Sequence, residues 1–170
     1  MVERIILGID PGYARMGWGV IAASGQSLRL IDYGCIETHK SEELPQRLAI
    51  INQQLENILK QHNPTEIAIE ELFFAKNVTT ALQVAHARGV VFLRAVHHCG
   101  NIFQYKPNQI KQAVTGIGNA DKNQMQQMVK NILGLREIPK PDDAADALAI
   151  AIAHSAHNVN ARTILANPVR

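Results

Sequence analysis

The chain has 170 residues, of which 46% are hydrophobic and 19% charged, a composition typical of a globular protein with its own core. No apolar run approaches the ~20 residues that a membrane-spanning helix needs, and the first residues lack the regions of a signal peptide. The two cysteines, Cys35 and Cys99, form no CxxC pair, which favours reduced, buried thiols. We therefore expect a single cytoplasmic domain rather than a membrane protein or a secreted, disulfide-stabilised one.

Five strands are predicted, and the first three follow one another closely. Turn signals at Asp10-Pro11-Gly12 and Ser24-Gly25 separate these three strands, which predicts an antiparallel meander. The fourth strand is reached through a helix, so we expect it to pair in parallel with the first. The predicted strands span residues 4–9, 16–22, 28–36, 66–69 and 102–105.

Apolar residues that recur every three or four positions predict five helices. Asn63-Pro64 ends the first helix, and we expect Asp142 to cap the N-terminus of the last. The predicted helices span residues 44–59, 78–98, 107–114, 121–133 and 143–154. Residues 1–157 are thus expected to form one domain, followed by a loose polar tail over residues 158–170.

Four carboxylates lie where a nuclease would need metal ligands. Asp10 and Glu70 each end a buried apolar run. Asp143 and Asp146 share one face at the start of an alanine-rich helix. Singly, each acid is explained as a turn residue, a solvated strand exit or a partner of the helix dipole. Together, four carboxylates at one point repel one another and persist only around a cation. Hard ions such as Mg²⁺ take oxygen ligands, and paired ions promote phosphodiester hydrolysis, so the constellation predicts a metal-dependent nuclease.

Charge is distributed unevenly along the chain, although the formal net charge is only +2. Between residues 72 and 140, nine basic residues face two acidic ones, so this stretch carries +7 and the rest of the chain carries −5. Basic stretches are often no more than solvated helix faces. A separation this marked, beside candidate metal ligands, favours a polyanionic partner such as nucleic acid.

Seven short motifs make the prediction more specific. They are Gly8-Ile9-Asp10-Pro11-Gly12, Ala68-Ile69-Glu70, Phe73-Phe74-Ala75-Lys76-Asn77, Ala87-Arg88-Gly89, Lys111-Gln112, Gly116-Ile117-Gly118 and Asp143-Ala144-Ala145-Asp146-Ala147-Leu148-Ala149. In this order and at this spacing, they resemble the RuvC family of Holliday-junction resolvases over residues 4 to 155. The resemblance implies an α/β protein with a ribonuclease H-like fold, in which helices flank a mixed five-stranded sheet.

The same resemblance implies an activity, a metal and partners. It implies a homodimer that nicks four-way DNA junctions symmetrically during homologous recombination and DNA repair, together with a branch-migration helicase complex of the RuvA and RuvB type. It also implies Mg²⁺ dependence, for which we expect two ions per subunit and Mn²⁺ as a substitute. The family's catalytic and metal-binding acids fall on Asp10, Glu70, Asp143 and Asp146.

Candidate DNA contacts follow from the resemblance as well. A base-stacking aromatic falls on Phe73, and stacking on an unpaired base contributes roughly 1–3 kcal/mol. The alternative is that the adjacent aromatic pair, Phe73-Phe74, belongs to the core. The family's DNA-contacting basic positions are similar to Lys76, Lys111 and Lys122, and lysines bind phosphates as point charges.

The second predicted helix and the histidines have plainer interpretations. One face of that helix suits close packing against a second copy of the chain, with burial in the core as the alternative. This face comprises Ala81, Val84, Ala85, Arg88 and Gly89. The helical histidines show no metal-binding spacing and are expected on helix surfaces or in an interface. They are His86, His97, His98, His154 and His157.

Two other classes of protein share some of these features. Actin-like ATPases and sugar kinases also place Asp-x-Gly after a first strand, but they need two such domains, and 170 residues are too few. A non-catalytic junction-binding protein would keep the basic stretch and would need none of the four acids. Cleavage with and without Mg²⁺ distinguishes these alternatives from a nuclease.

Overall fold

A mixed five-stranded sheet is the centre of the fold in the computed structural model, which describes residues 3–71 and 78–157. The strands are β1 (Arg4–Asp10), β2 (Arg15–Ser24), β3 (Ser27–Glu37), β4 (Glu66–Glu70) and β5 (Ile102–Tyr105). They lie in the order β3-β2-β1-β4-β5. The first three pair antiparallel, whereas β1, β4 and β5 pair in parallel. The predicted meander and the predicted parallel pairing of the first and fourth strands are confirmed.

Helices cover both faces of this sheet. They are α1 (Leu44–His62), α2 (Val78–His98), α3 (Pro107–Thr115), α4 (Lys122–Ile132) and α5 (Asp142–Ala156). Side chains from α1 and α2 share one core with Leu7 and Ile9 of β1, and those from α3, α4 and α5 share another with Ile6. Because side chains alternate along a strand, β1 contributes to both cores and is covered on both faces.

Glycines allow α5 to pack directly against the backbone of β1 and β2. A Cβ atom at Gly17 would collide with the main-chain carbonyl of Asp143, and one at Gly8 would collide with that of Ala147. A Cβ atom at Gly19 would come within 2.6 Å of the side chain of Leu148. The absence of these Cβ atoms therefore sets the distance between the sheet and the helix that carries two of the predicted acids.

The predicted element boundaries differ from the structure mainly at helix ends. Helix α1 ends at His62, and its C-cap residue, Asn63, adopts the left-handed conformation with φ 43°. The prediction that Asp142 caps α5 is wrong, because Asp142 is the first helical residue and Pro141 occupies the N-cap position. The Asp142 carboxylate instead binds the ammonium groups of Lys122 at 3.3 Å and Lys140 at 3.1 Å. Its partners are side chains rather than the free N–H groups of the helix.

The prediction that the histidines lie on helix surfaces or in an interface is wrong for His154, which is 2% exposed. Its Nδ1 lies 2.6 Å from the hydroxyl of Tyr105, and its Nε2 lies 2.6 Å from the carboxylate of Glu66. Arg4 contacts the same carboxylate at 3.3 Å and donates to the main-chain oxygen of Ser155 at 3.1 Å. These bonds join the C-terminal end of α5 to β1, β4 and β5.

The predicted interface face of α2 is also partly wrong. Ala81 and Arg88 are buried rather than exposed. Ala85 and Gly89 of the predicted face are exposed, and they lie on a stripe of exposed residues of α2 in which Leu82 is 58% and Leu93 is 57% exposed. We call this the α2 stripe, and its members are Leu82, Ala85, His86, Gly89 and Leu93.

Two expectations from composition are tested as well. Cys35 and Cys99 form no disulfide, and each is half-buried rather than fully buried. Among residues 3–71 and 78–157, no helix combines the length and the apolar character needed to cross a membrane.

Candidate active site

Three of the predicted acids line one pocket, because the ends of two parallel strands meet the start of α5. Asp10 ends β1 and Glu70 ends β4, so both carboxylates lie at the same edge of the sheet. Asp146 follows within the first turns of α5, which packs across β1. The pocket has a volume of about 230 Å³, and Lys111 and Lys122 also line it. The structure therefore brings three predicted acids together beside two of the predicted lysines.

Burial and mutual repulsion alter the ionisation of these carboxyls. Burial, followed by the negative charges of Glu70, Asp146 and Asp143, raises the pKa of Asp10 to about 7. Burial also raises the pKa of Glu70, with a contribution from Asp146. The pKa of Asp146 is raised by burial too, although the charge of Lys122 opposes that change. Carboxyls in a shared desolvated site hinder one another's ionisation, so the acids form one electrostatic unit.

The two acids of α5 each have a basic partner. Asp143 does not line the pocket; its Oδ2 lies 3.0 Å from the guanidinium of Arg15. The Oδ2 of Asp146 lies 3.5 Å from the ammonium group of Lys122, which also contacts Asp142. Sequence reasoning missed Arg15. The signal that points to it is its place at the start of β2, which pairs antiparallel with β1 and therefore lies beside the end of β1.

The donor set suits a hard divalent cation, although the carboxylates are not gathered around a single point. Within the two described ranges, no three His, Cys, Asp or Glu side chains lie close enough together to enclose an ion. Asp10, Glu70 and Asp146 nevertheless offer only oxygen donors, which Mg²⁺ and Mn²⁺ prefer. A cation among them would relieve the repulsion that raises the pKa of Asp10, and Asp146 would exchange Lys122 for the ion. The residues present therefore fit a divalent metal.

The structure describes two of the four residues that are predicted to contact DNA. Lys111 and Lys122 line the pocket of the acids, and their contact with a phosphate stays a prediction. Phe73 and Lys76 lie outside the described residues, so their predicted contacts stay predictions.

A second pocket, of about 220 Å³, shares Asp10 and Glu70 with the first and extends to α2, where Arg88 lines it. Arg88 is 7% exposed. Its guanidinium donates to the main-chain oxygen of Glu70 and, at 2.5 Å, to Oε1 of Gln104. It also lies over the ring of Phe92, 5.2 Å from the centroid. From the sequence, Arg88 was expected on a candidate interface face, with burial in the core as the alternative. The signal for the site is a charged residue among the inward-facing apolar positions of α2.

Comparisons with known proteins agree with this geometry. The family model described as crossover junction endodeoxyribonuclease RuvC matches residues 6–154. The crossover junction endodeoxyribonuclease RuvC of Alkaliphilus oremlandii is 54% identical over 156 residues, which cover 92% of this chain and 94% of the relative. A protein of the same name from Desulfitobacterium hafniense is 54% identical over 157 residues, again 92% of this chain and 94% of the relative.

The structure itself is similar to that of T. thermophilus RuvC in complex with a Holliday junction substrate. The TM-score is 0.84 at 36% sequence identity, and the match covers 89% of this chain and 93% of that chain. The mixed sheet and its flanking helices are thus the ribonuclease H-like fold that the motifs implied. Because the family match runs over residues 6–154, the alternatives of an actin-like ATPase and a sugar kinase are wrong. The chain belongs to the RuvC family of crossover junction endodeoxyribonucleases.

Proposed function

We propose that this protein is a metal-dependent endonuclease that resolves four-way DNA junctions by paired, symmetric nicks during homologous recombination and DNA repair. The observation that carries the proposal is the pocket in which Asp10, Glu70 and Asp146 lie beside two lysines, in a chain of the RuvC family. The T. thermophilus relative, whose structure contains a Holliday junction substrate, supports junction DNA as the substrate here.

The four acids are proposed to hold Mg²⁺, with two ions per subunit and Mn²⁺ as a substitute. Bound divalent ions supply an acidified water and stabilise charge on phosphate oxygens. Asp10 lies at the end of the central strand, so it is our candidate for the ligand that both ions share. Glu70 and Asp146 complete the set from within the pocket, and Asp143 joins them once it leaves Arg15.

Basic and aromatic side chains beside the acids are proposed to hold the DNA. Lys111 and Lys122 bind phosphates of the strand that is cut, because their ammonium groups line the same pocket as the acids. Lys76 and Phe73 keep the roles that the motifs suggest, a phosphate contact and a stacking platform for an unpaired base.

A homodimer is proposed, because two symmetric cuts need two active sites related by a twofold axis. The α2 stripe supports this proposal. It places Leu82 and Leu93, two of the large apolar side chains exposed among the described residues, on one face of one helix. The small residues between them, Ala85 and Gly89, permit close approach of a second helix. We further propose that the dimer acts on chromosomal junctions in the cytoplasm, with a branch-migration helicase complex of the RuvA and RuvB type.

One gel experiment tests the nuclease. The protein is incubated with a synthetic four-way junction or with a linear duplex of the same sequence, in Mg²⁺, Mn²⁺ or EDTA. We expect ligatable, symmetric nicks in strands of like polarity, in the junction alone and in either metal. Equal cutting of the linear duplex, or cutting in EDTA, would contradict the proposal. Junction binding without cutting in any metal would favour the non-catalytic binding protein.

A further inference from the structure

We infer that Arg88 is a positioning residue of this active site, which holds the end of β4 so that the Glu70 carboxylate stands where a divalent cation binds it. The inference rests on the proposed function and deepens it, because it assigns a further residue to the same site. Arg88 acts through the main chain of Glu70 and touches neither the ion nor the DNA in this assignment.

The burial of Arg88 is the first observation. A guanidinium is costly to bury unless its N–H groups are bonded, and Arg88 is only 7% exposed. Among the described residues, its hydrogen-bond acceptors are the main-chain oxygen of Glu70 and the Oε1 atom of Gln104, and its flat face lies on the ring of Phe92. Each acceptor therefore belongs to the sheet, while the arginine itself belongs to α2.

The position of the two acceptors is the second observation. Glu70 is the last residue of β4, and Gln104 lies on β5 opposite Ile69 in the parallel ladder. One planar group thus ties two adjacent strands together at the edge where the acids lie. The Glu71 N–H donates to the main-chain oxygen of Tyr105 at 2.8 Å across the same strand pair, so Glu70 is held from both the β5 side and the α2 side.

Metal binding depends on how firmly the main chain of Glu70 is fixed. A metal ligand must keep its place to within roughly 0.5 Å, and hydrogen bonds to the groups around it are what fix that place. A lysine at position 88 would keep the charge, but it is a single point donor and lacks the fork that serves two acceptors at once. Arg88 also lines the pocket that contains Asp10 and Glu70, so its removal would loosen the backbone at the site itself.

A merely structural role is the alternative, in which Arg88 only attaches α2 to the sheet. Arg94 supplies the matched control, because it lies on the same helix and contacts two polar side chains among the described residues. Its Nε donates to Asn52 at 2.6 Å, and its guanidinium contacts Glu56 at 3.1 Å. Both partners lie on α1, remote in the chain from the strand ends that carry the acids.

The test measures Mn²⁺ binding to the metal-free protein by titration calorimetry, without DNA and without turnover. We expect Arg88→Gln to weaken Mn²⁺ binding by about 10–100-fold, the usual effect of losing a partner that orients a metal ligand. Arg88→Lys should lie between this variant and the parent, and Arg94→Gln should match the parent within about twofold. Junction affinity in EDTA should be the same for all four proteins, because Arg88 does not contact DNA.

The inference is overturned if folded Arg88→Gln binds Mn²⁺ as tightly as Arg94→Gln does. If Arg88→Gln does not fold, Gln104→Leu takes its place, since it removes the second acceptor and leaves the arginine intact. We expect that variant to bind Mn²⁺ several-fold more weakly, and unchanged binding would overturn the inference. Failure of the proposed function has a different result, in which the parent binds Mn²⁺ and never nicks a junction.

Discussion

Asp10 carries the largest electrostatic cost among the acids, because it is buried among like charges. Its pKa rises from 3.8 to about 7 on folding, so between these pH values the folded protein holds a proton that the unfolded chain releases. The unfolded state then binds fewer protons, which means that the stability of the metal-free protein falls as pH rises through this range. Above about pH 7 the whole cost is present.

Replacement of Asp10 by Asn should therefore stabilise the metal-free protein. In EDTA at pH 8 we expect a gain of ~1–3 kcal/mol, because one pKa unit corresponds to about 1.4 kcal/mol, and the gain should shrink toward pH 4. Junction nicking should be abolished, and Mg²⁺ should stabilise the parent more than the variant. Urea unfolding at pH 8 and pH 5 measures the gain in stability and its dependence on pH, and a junction-cleavage gel measures the loss of nicking. A variant that is less stable at pH 8 and still cuts DNA would contradict the assignment of Asp10.

Lys111 and Lys122 should be visible in the salt dependence of junction binding. Each neutralised phosphate contributes a slope of about −0.9 to log K against log salt, so Lys111→Ala and Lys122→Ala should each flatten the slope by about that amount. Lys60→Ala is the control, because Lys60 is exposed on α1 and pairs with Glu56 at 2.8 Å. Fluorescence anisotropy in EDTA measures the slope, and an unchanged value would exclude a phosphate contact for that lysine.

At the scale of elements, α5, which carries Asp143 and Asp146, is attached to the sheet by two different contacts. Its N-terminal half lies on Gly8 and Gly17, where no side chain separates the helix from the strands. Its C-terminal end is held by the hydrogen bonds of His154 to Tyr105 and Glu66. The first contact places the N-terminal half of the helix directly on the strands, and the second attaches its C-terminal end to β4 and β5.

Gly17→Ala should displace the N-terminal half of α5, because the added Cβ would collide with the main-chain oxygen of Asp143. We expect a loss of ~1–3 kcal/mol in the free energy of unfolding, as for other overpacked sites, together with weaker Mn²⁺ binding. Gly118→Ala is the control, since its Cβ would meet the end of the Gln112 side chain at 3.4 Å and the main-chain oxygen of Asn108 at 4.0 Å, without a collision. Thermal unfolding and calorimetry report the two effects, and a variant equal to this control would show that the helix tolerates the methyl group.

Glu66→Gln should weaken the other end of α5 in a pH-dependent way. Burial alone would raise the pKa of Glu66, but the hydrogen bond and charge of His154, with the charge of Arg4, lower it below its ordinary value of 4.5. The stabilisation is therefore complete above that value and is lost as pH falls through the lower, folded pKa. We expect a loss of about 1–3 kcal/mol at pH 7, and a much smaller loss at pH 3.

The matched control for this variant is Glu3→Gln, which removes an exposed ion pair to Arg29 at 3.4 Å. Exposed pairs contribute about 0–1 kcal/mol, so this variant should differ little from the parent at either pH. Equal effects of both substitutions, measured by urea unfolding, would mean that the buried network adds no stability to α5.

At the scale of the whole molecule, most of the architecture was predictable from local patterns. Strand β1 and helix α5 follow from hydrophobic runs and periodicity, and Asp10 and Glu70 follow from their place at strand ends. The hydrogen-bond partners of His154 and Arg88 were not predictable, because they lie far away in the chain. Such contacts can be identified only once the strands are assembled into the sheet. In the sequence, a polar residue on an apolar helix gives no indication of which distant residue it contacts.

The α2 stripe yields a prediction about assembly. Leu82→Lys combined with Leu93→Lys should convert the proposed dimer into a monomer, because two charges would be buried on an apolar face. Paired cuts in one junction should then become independent single nicks. Ile117→Lys is the control, since Ile117 is 50% exposed but lies outside α2. Analytical ultracentrifugation measures the oligomeric state, and a double variant that sediments like a dimeric parent would place the interface elsewhere.

The basic partners of Asp143 and Asp146 have a practical consequence for following the reaction in time. Because Arg15 and Lys122 balance these charges, the protein should stay folded and bound to DNA when a chelator removes the metal, although it can no longer cut. A metal pulse then becomes a synchronising trigger. Crystals of the metal-free protein–DNA complex could be soaked with Mn²⁺ for seconds and then frozen. Their structures would show the order in which the two strands are cleaved.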